Sequence, residues 1–258
     1  MLFMQMHSWK AQWQCYIVRM QPEITFDAEK HKYFNKFGDE YISTTTLLNC
    51  YVKEFDTDKH AARVAEKNDT TPEAIKNMWK DITQQACDKG SAIHSVMENY
   101  IKDGTYNSDY SSLLRSFDKA TECFRRTSIS SEKLLHNHGA RIAGTTDVCM
   151  ENKDEFFLMD FKTNKKFTFS SAFKEFLLPP LDFLHNCKYN IYTLQLSIYA
   201  YMYEQLSNKK CAGLKILFLK HNAVGSAFWQ EIPALYARDT VEKLFILRKQ
   251  QILKQSNE

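Results

Sequence analysis

The clearest hydrophobic pattern lies in the second half of the chain, where short apolar runs indicate buried strands. One segment runs from Arg141 to Val148, and a second runs from Phe156 to Thr163. A continuous apolar run such as residues 156–159 is typical of a central strand that is covered on both faces. We expect the two segments to pair as a hairpin through residues 151–155.

The remaining pattern predicts a mixed chain of strands and helices. Alternating positions predict further strands at residues 24–26, 31–34, 41–43, 130–136, 214–219 and 227–232. Helical periodicity predicts a helix from Ser43 or Thr44 to residue 52, and others at 58–67, 71–104, 113–126, 189–206 and 235–253. The long helix opens with Thr71 as a cap and Pro72 in its first turn. Its apolar stripe comprises Trp79, Ile82, Ala86, Ile93, Val96, Met97 and Ile101. These elements predict one domain, in which helices before residue 128 cover a central mixed sheet.

Three charged residues lie at the ends of the two hairpin segments. Asp147 closes the first segment, while Asp160 and Lys162 close the second. A desolvated charge must be paired or bound to a metal. Side chains alternate along a strand, so Asp160 and Lys162 point the same way while Phe161 points into the packing. If the hairpin forms, Asp147 lies beside Asp160, and we expect perturbed pKa values in this small volume.

This combination suits the hydrolysis of a phosphodiester. Two carboxylates offer hard oxygen ligands for Mg²⁺ or Mn²⁺. Such a metal polarises the phosphate and lowers the pKa of a bound water. Lys162 can orient that water or neutralise charge that develops in the transition state. The alternative is a buried salt bridge between Lys162 and either acid, and the spacing does not decide between the two.

The motifs Gly144-Thr145-Thr146-Asp147 and Asp160-Phe161-Lys162-Thr163 resemble the Asp…(Asp/Glu)-x-Lys signature of the PD-(D/E)XK nuclease superfamily. The resemblance is to its RecB-like branch, which includes CRISPR adaptation nucleases, the mitochondrial genome-maintenance exonuclease and many phage exonucleases. Three flanking features occur in the same order as in that branch. They are residues 90–94 on the long helix, ending in His94, then Glu132 on a preceding strand, and residues 195–199 on a later helix. The likeness spans about residues 22 to 220.

The resemblance implies a restriction-endonuclease-like core and a metal-dependent DNA nuclease, with exonuclease activity as the first expectation. It implies a site in which Asp147, Asp160, His94, Glu132 and the Phe161 carbonyl bind metal, Lys162 positions water, and Gln195 and Tyr199 hold the lysine and the substrate phosphate. Each flanking residue has an alternative role. His94 could be a structural histidine, Glu132 a surface acid and Gln195 a polar residue at the edge of the core. Glu98, one turn after His94, could orient the imidazole or face solvent.

A basic and aromatic segment follows the second hairpin strand. Lys165, Lys166 and Lys174 interleave with phenylalanines at 167, 169, 173 and 176. Basic residues that follow a backbone and aromatic rings on which bases stack are typical of single-strand binding. Phe169, Phe173 and Phe176 have helical spacing and could instead be core residues. We therefore assign Lys165, Lys166, Phe167 and Lys174 to nucleic-acid binding.

Composition is that of an ordinary globular protein, at 44% hydrophobic and 25% charged residues over 258 positions. The net charge of +3 permits a nucleic-acid partner without requiring one, because a local basic groove matters more than the total. The cysteines are seven in number and form no C-x-x-C pair, which predicts neither disulfides nor a zinc knuckle. They also lack the clustering needed for the iron–sulfur centre of some RecB-like nucleases. His136 and His138 have no evident third ligand, so we expect turn residues there and no zinc site.

The chain contains no apolar run long enough to span a bilayer, and residues 1–19 do not resemble a signal peptide. We therefore expect no membrane partner and a cytoplasmic location, in a bacterial host if the protein is phage-encoded. Residues 1–19 are predicted to be a dispensable extension before a single domain at 20–258.

The expected substrate is DNA, single-stranded or with free ends. No P-loop is present, so a helicase or recombination protein is a candidate partner. The rival interpretation is a non-catalytic nucleic-acid-binding or assembly protein on the same fold.

Overall fold

The computed structural model describes residues 23–27, 32–124, 127–171 and 173–255. The strands are β1 (Ile24–Asp27), β2 (Lys32–Asn35), β3 (Glu40–Ser43), β4 (Ser128–Asn137), β5 (Ile142–Glu151), β6 (Glu155–Lys162), β7 (Lys210–His221) and β8 (Ala227–Ala234). The α-helices are α1 (Thr44–Asn49), α2 (Thr57–Lys67), α3 (Pro72–Asp103), α4 (Ser111–Thr121), α5 (Lys188–Ser207) and α6 (Arg238–Gln255). The predicted extension at residues 1–19 lies outside the described residues.

The strands form one mixed sheet in the order β1-β2-β3-β5-β6-β7-β8, with β4 paired to β5. The β3–β5 and β6–β7 pairs are parallel, and the others are antiparallel. Along one edge of β5, β3 pairs with residues 142–143 and β6 pairs with residues 148–151. The β5–β6 hairpin is therefore as predicted, and its registered pairing ends at Val148 and Met159. Asp147 and Asp160 lie just beyond this point, where the two strands separate.

Two apolar clusters cover opposite faces of the sheet. Leu158 belongs to the cluster shared with α5 and α6, whereas Met159 belongs to the cluster shared with α3 and α4. Because adjacent side chains on a strand point to opposite faces, this division places helices on both sides. The predicted fold class is confirmed: a central mixed sheet is flanked by helices, with a helical portion before β4, consistent with a nuclease-like core.

Local capping fixes the helix that carries His94. The Thr71 hydroxyl accepts a hydrogen bond from the Ala74 N–H at 3.2 Å, and Pro72 occupies the first turn. The helix ends at Gly104, whose φ of +74° places it in the left-handed region that a residue with a side chain rarely adopts. Both ends of α3 are therefore as the sequence predicts.

The predicted stripe of α3 is not buried along its whole length. Ile93 and Met97 are buried in the main body, but Ile82 is 49% exposed and Ala86 is also exposed. The reason is that α2 and the beginning of α3 pack on each other around a small core of their own, which includes Ile75. The helix crosses from this small core to the main body, and its middle is left uncovered.

Other boundaries differ from the prediction in detail. Helix α1 stops at Asn49, α4 stops at Thr121 before a 3₁₀ turn, and α6 begins at Arg238. His136 lies within β4 and not in a turn. No helix forms between residues 164 and 187 in the described part of that segment, so the helical spacing of its phenylalanines was misleading. Among the described helices, none combines the length and the apolar character needed to cross a lipid bilayer.

Candidate functional site

The site is built where β5 and β6 separate. The Phe161 N–H donates a hydrogen bond of 2.6 Å to Asp147 Oδ2, so the backbone of β6 holds the acid of β5. Asp147 is 8% exposed and Asp160 is 2% exposed. Two carboxylates are thus held beside each other with little access to water, as the hairpin predicted.

His94 and Glu132 reach this pair from other elements. His94 Nδ1 lies 3.4 Å from Asp147 Oδ1. Glu132 lies on β4 between residues that pair with Val148 and Thr146, so its position faces Asp147. One ligand atom from each of His94, Glu132 and Asp147 lies within 4.8 Å of the others. Imidazole and carboxylate ligands at this spacing can hold a divalent metal.

Glu132 adopts an unusual backbone conformation. Its φ is +50°, in the left-handed region, although it is an acidic residue inside a strand. A residue held in this region costs of the order of 1–3 kcal/mol and persists only where its surroundings enforce it. Strain of this kind is concentrated at functional sites.

A line of polar contacts runs from Asp160 into α5. Lys162 Nζ lies 2.5 Å from Asp160 Oδ2 and donates a hydrogen bond of 3.0 Å to Gln195 Oε1. Gln195 Nε2 in turn donates to the Tyr199 hydroxyl at 3.1 Å. Asp160 Oδ2 thus forms a close, buried ion pair with the Lys162 ammonium and has a second lone pair. That oxygen retains capacity for another ligand.

Glycines allow the surrounding helices to approach closely. A Cβ added at Gly144 would lie 2.7 Å from Tyr199 Cε1 and 3.0 Å from Thr44 Oγ1, so the buried tyrosine ring occupies the space of a side chain. A Cβ added at Gly90 would lie 3.0 Å from Thr163 Oγ1. The close neighbour of Gly90 is therefore a side chain and not another backbone.

The electrostatics of the site favour an additional cation. Burial raises the pKa of Glu132 to about 7, with the Asp147 charge acting in the same direction. Burial also raises the pKa of Asp160 to about 6, although the Lys162 ammonium opposes the rise. Burial would lower the pKa of Lys162 and of His94, but the neighbouring carboxylates outweigh it, so both pKa values are raised. Three carboxylates face one lysine and one histidine, and a divalent metal would relieve their repulsion. The residues could therefore hold a divalent metal, and Mg²⁺ or Mn²⁺ as the ion stays a prediction.

The structure gathers most of the predicted residues into one place. They are His94, Glu132, Asp147, Asp160, Lys162, Gln195 and Tyr199. The Phe161 ring packs against Trp229 at 4.8 Å between centroids, and the predicted role of its carbonyl as a ligand stays a prediction. Glu98 pairs with Lys102, so the alternative in which it faces solvent is the one that its contacts favour.

Sequence reasoning missed Tyr192 as part of the site. The Lys162 Nζ lies 4.6 Å from the centroid of its ring, and its hydroxyl donates a hydrogen bond of 2.9 Å to Asn164 Oδ1. An aromatic face at this distance stabilises an ammonium group. The available signal was the spacing, since Tyr192 precedes Gln195 by three residues and so shares its helix face.

The predicted strand-binding segment divides into packed and exposed residues. Phe167 packs against Phe218, at 5.1 Å between ring centroids, and joins the edge of the core. These contacts bury the ring in part, and its predicted role in nucleic-acid binding stays a prediction. Phe169 is 63% exposed. Lys165 and Lys166 line a hollow of about 390 Å³, while Lys174 is exposed elsewhere on the segment.

No protein-family model matches the chain, and neither does the sequence of any curated protein. Among solved structures, the chain is similar to the crystal structure of SSO0001, with 16% identity over 80% of this chain and 75% of that one, and a TM-score of 0.32. It is also similar to a protein of Eubacterium rectale named as a "putative exonuclease", with 9% identity, coverage of 83% and 79%, and a TM-score of 0.36. With likenesses this distant, the interpretation of the site depends on its own geometry.

Proposed function

We propose that the protein is a metal-dependent DNA nuclease of the RecB-like PD-(D/E)XK type, acting as an exonuclease on single strands or free ends. The observation that carries the proposal is the convergence of two sets of groups where β5 and β6 separate. A possible metal-binding group of His94, Glu132 and Asp147 lies next to the ion pair of Asp160 and Lys162. Both the motif order and this geometry support the same chemistry.

In this proposal His94, Glu132 and Asp147 hold the metal, and Asp160 and the Phe161 carbonyl complete the set. A bound Mg²⁺ or Mn²⁺ would polarise the scissile phosphate and lower the pKa of water. The raised pKa of Lys162 keeps its ammonium protonated, and Gln195 Oε1 fixes its direction. Lys162 can therefore orient the attacking water and neutralise charge on the phosphate oxygens. Tyr199 positions Gln195 and acts through it.

The rival proposal is a binding or assembly protein that retains the fold without the chemistry. A salt bridge alone would account for the contact between Asp160 and Lys162. It would not account for a strained acid at position 132, whose raised pKa shows that its charge is poorly compensated. The geometry therefore supports the nuclease better than the rival.

The direct test incubates the protein with end-labelled single- and double-stranded DNA in Mg²⁺, Mn²⁺ or EDTA. We expect cleavage in either metal, none in EDTA, and none by the Lys162→Ala and Asp160→Ala variants, which should remain folded. Lys153→Ala is the matched control, because this lysine is exposed in the turn at the opposite end of β6. If Lys162→Ala cleaved DNA at the rate of the control, the catalytic role proposed for Lys162 would be contradicted. Loss of the folded state in either variant would favour the structural salt bridge.

A further inference from the structure

A second concave site lies beside the candidate metal site, between α3, the beginning of α4 and the turn that joins β7 to β8. This α3–α4 hollow has a volume of about 460 Å³. Its floor includes the apolar side chains Ile93, Leu113 and Leu219, while Lys89 and Arg115 lie on its rim. Hollows of this size with an apolar floor and a few polar groups are typical of ligand sites.

The rim carries uncompensated positive charge. Lys89, Arg115 and His221 line the hollow and are exposed, and none of them forms an ion pair with any residue that the structure describes. Asp109 also lines the hollow and offsets part of this charge. Two permanent cations with an imidazole beside them favour an anion, and the fork of an arginine suits a phosphate group.

The hollow is adjacent to the site of the proposed chemistry. Ile93 on its floor directly precedes His94. Lys89 lies five residues before His94 on the same helix, which is about 7.5 Å along the helix axis. Leu219 follows Phe218, which pairs with Lys162 across β6 and β7. Successive nucleotides of a strand are about 3.4 Å apart in a stacked helix, so Lys89 lies within a few nucleotides of His94 along the helix axis.

We propose that the α3–α4 hollow binds the nucleic-acid strand next to the scissile phosphate, with a backbone phosphate at Lys89 and Arg115 and the attached base over the apolar floor. The proposal rests on the nuclease function proposed above. It assigns substrate binding to the α3–α4 face of the sheet, whereas the lysines at 165 and 166 lie near Phe218 on the α5 face. A strand that crosses the separation of β5 and β6 could then be held on both sides of the cleavage site.

The test measures binding of a fluorescent oligothymidine about 16 nucleotides long in EDTA, where no cleavage occurs. The variant is Lys89→Gln with Arg115→Gln. The matched control is Lys153→Gln with Lys210→Gln, which removes the same charge from exposed positions at the opposite end of the sheet. We expect the Kd of the first variant to rise about tenfold. We also expect its salt dependence to become shallower by about 0.7 in the slope of log K against log salt, since the pair contacts one phosphate and each single-strand phosphate contact contributes about 0.7. The control should bind as the unchanged protein does.

Two results would overturn the assignment. The first is an equal change in Kd for both double variants, which would show that binding depends on net charge and not on the hollow. The second is displacement of the labelled strand by thymidine monophosphate as readily as by the unlabelled oligonucleotide, which would make the hollow a mononucleotide site. Cleavage in Mn²⁺ is measured separately on the unchanged protein. Failure to cleave would contradict the proposed nuclease activity. The hollow would still be supported as a strand-binding site if the Lys89→Gln with Arg115→Gln variant bound more weakly and the control variant did not.

Discussion

The raised pKa of Glu132 makes the stability of the metal-free protein a test of the site. We expect Glu132→Gln to be more stable than the unchanged protein at about pH 8 in EDTA, and about equally stable near pH 4.5, the ordinary pKa of this group. At the lower pH the carboxyl is protonated in the folded chain and half ionised in the unfolded chain, so its burial costs little. As pH rises towards 7, the unfolded chain loses this proton first, and the folded state carries a growing penalty.

The size of the effect follows from the same shift. The difference between 4.5 and about 7, at about 1.36 kcal/mol for each pKa unit, amounts to about 3.4 kcal/mol. Glu132 is only partly buried, so we expect a gain of about 1–3 kcal/mol in the free energy of unfolding. For a chain of this size that corresponds to a rise in Tm of roughly 2–10 °C, depending on the entropy of unfolding.

The assay is thermal unfolding at both pH values, with and without Mn²⁺. The unchanged protein should be stabilised by the metal, by about 2.7 kcal/mol at 100 times its Kd, and Glu132→Gln should gain less. Glu155→Gln removes an exposed acid at the beginning of β6 and serves as the charge control. A variant less stable than the unchanged protein at about pH 8 would refute the buried-charge argument. If Mn²⁺ stabilised both proteins equally, Glu132 would not be a ligand of the metal.

Four further substitutions separate the roles of other residues. His94→Ala should lose more cleavage activity in Mn²⁺ than in Mg²⁺, because imidazole suits transition metals better; equal losses would count against direct ligation. Gly144→Ala should lower the free energy of unfolding by about 1–3 kcal/mol and reduce the cleavage rate, because its methyl group must displace the buried Tyr199 ring; an unchanged Tm would show that the ring moves freely. Phe167→Ala should lower Tm, whereas Phe169→Ala should weaken single-strand binding with little change in Tm; the reverse result would support the predicted role of Phe167 in strand binding.

The sequence predicted those parts of the site that follow from local periodicity. Alternation along β6 places Asp160 and Lys162 on one face, and they form an ion pair. Helical spacing places Gln195 and Tyr199 on one face of α5, and they form a hydrogen bond. Both predictions need only the geometry of a single element. They therefore hold without knowledge of how the elements pack.

The sequence could not show how separate elements meet. The left-handed φ of Glu132 depends on β4 pairing with β5, and nothing in the residue type indicates it. The exposed middle of α3 depends on α2 forming a separate small core with the beginning of that helix. The segment after β6 had helical spacing, but Lys174 adopts a φ of +54° and residues 179–180 are prolines, and neither continues a helix. In α3 and in the segment after β6, periodicity indicated an apolar face, but the packing of other elements or the local backbone decided the outcome.

Several features that lower the stability of this fold are concentrated where β5 and β6 separate. Glu132 is strained and its charge is poorly compensated, Asp160 is nearly inaccessible to water, and Gly144 gives its side-chain space to the Tyr199 ring. A sheet of this size would be more stable with apolar residues at those positions, because replacing a buried ion pair by well-packed apolar groups is often neutral or stabilising. Stability therefore does not explain why the acids are there, whereas the divalent-metal site that we propose would explain them. The measurement on Glu132 tests these explanations directly, because an acid of the metal site should leave the protein less stabilised by Mn²⁺ when its charge is removed, whereas an acid with a purely structural role should not.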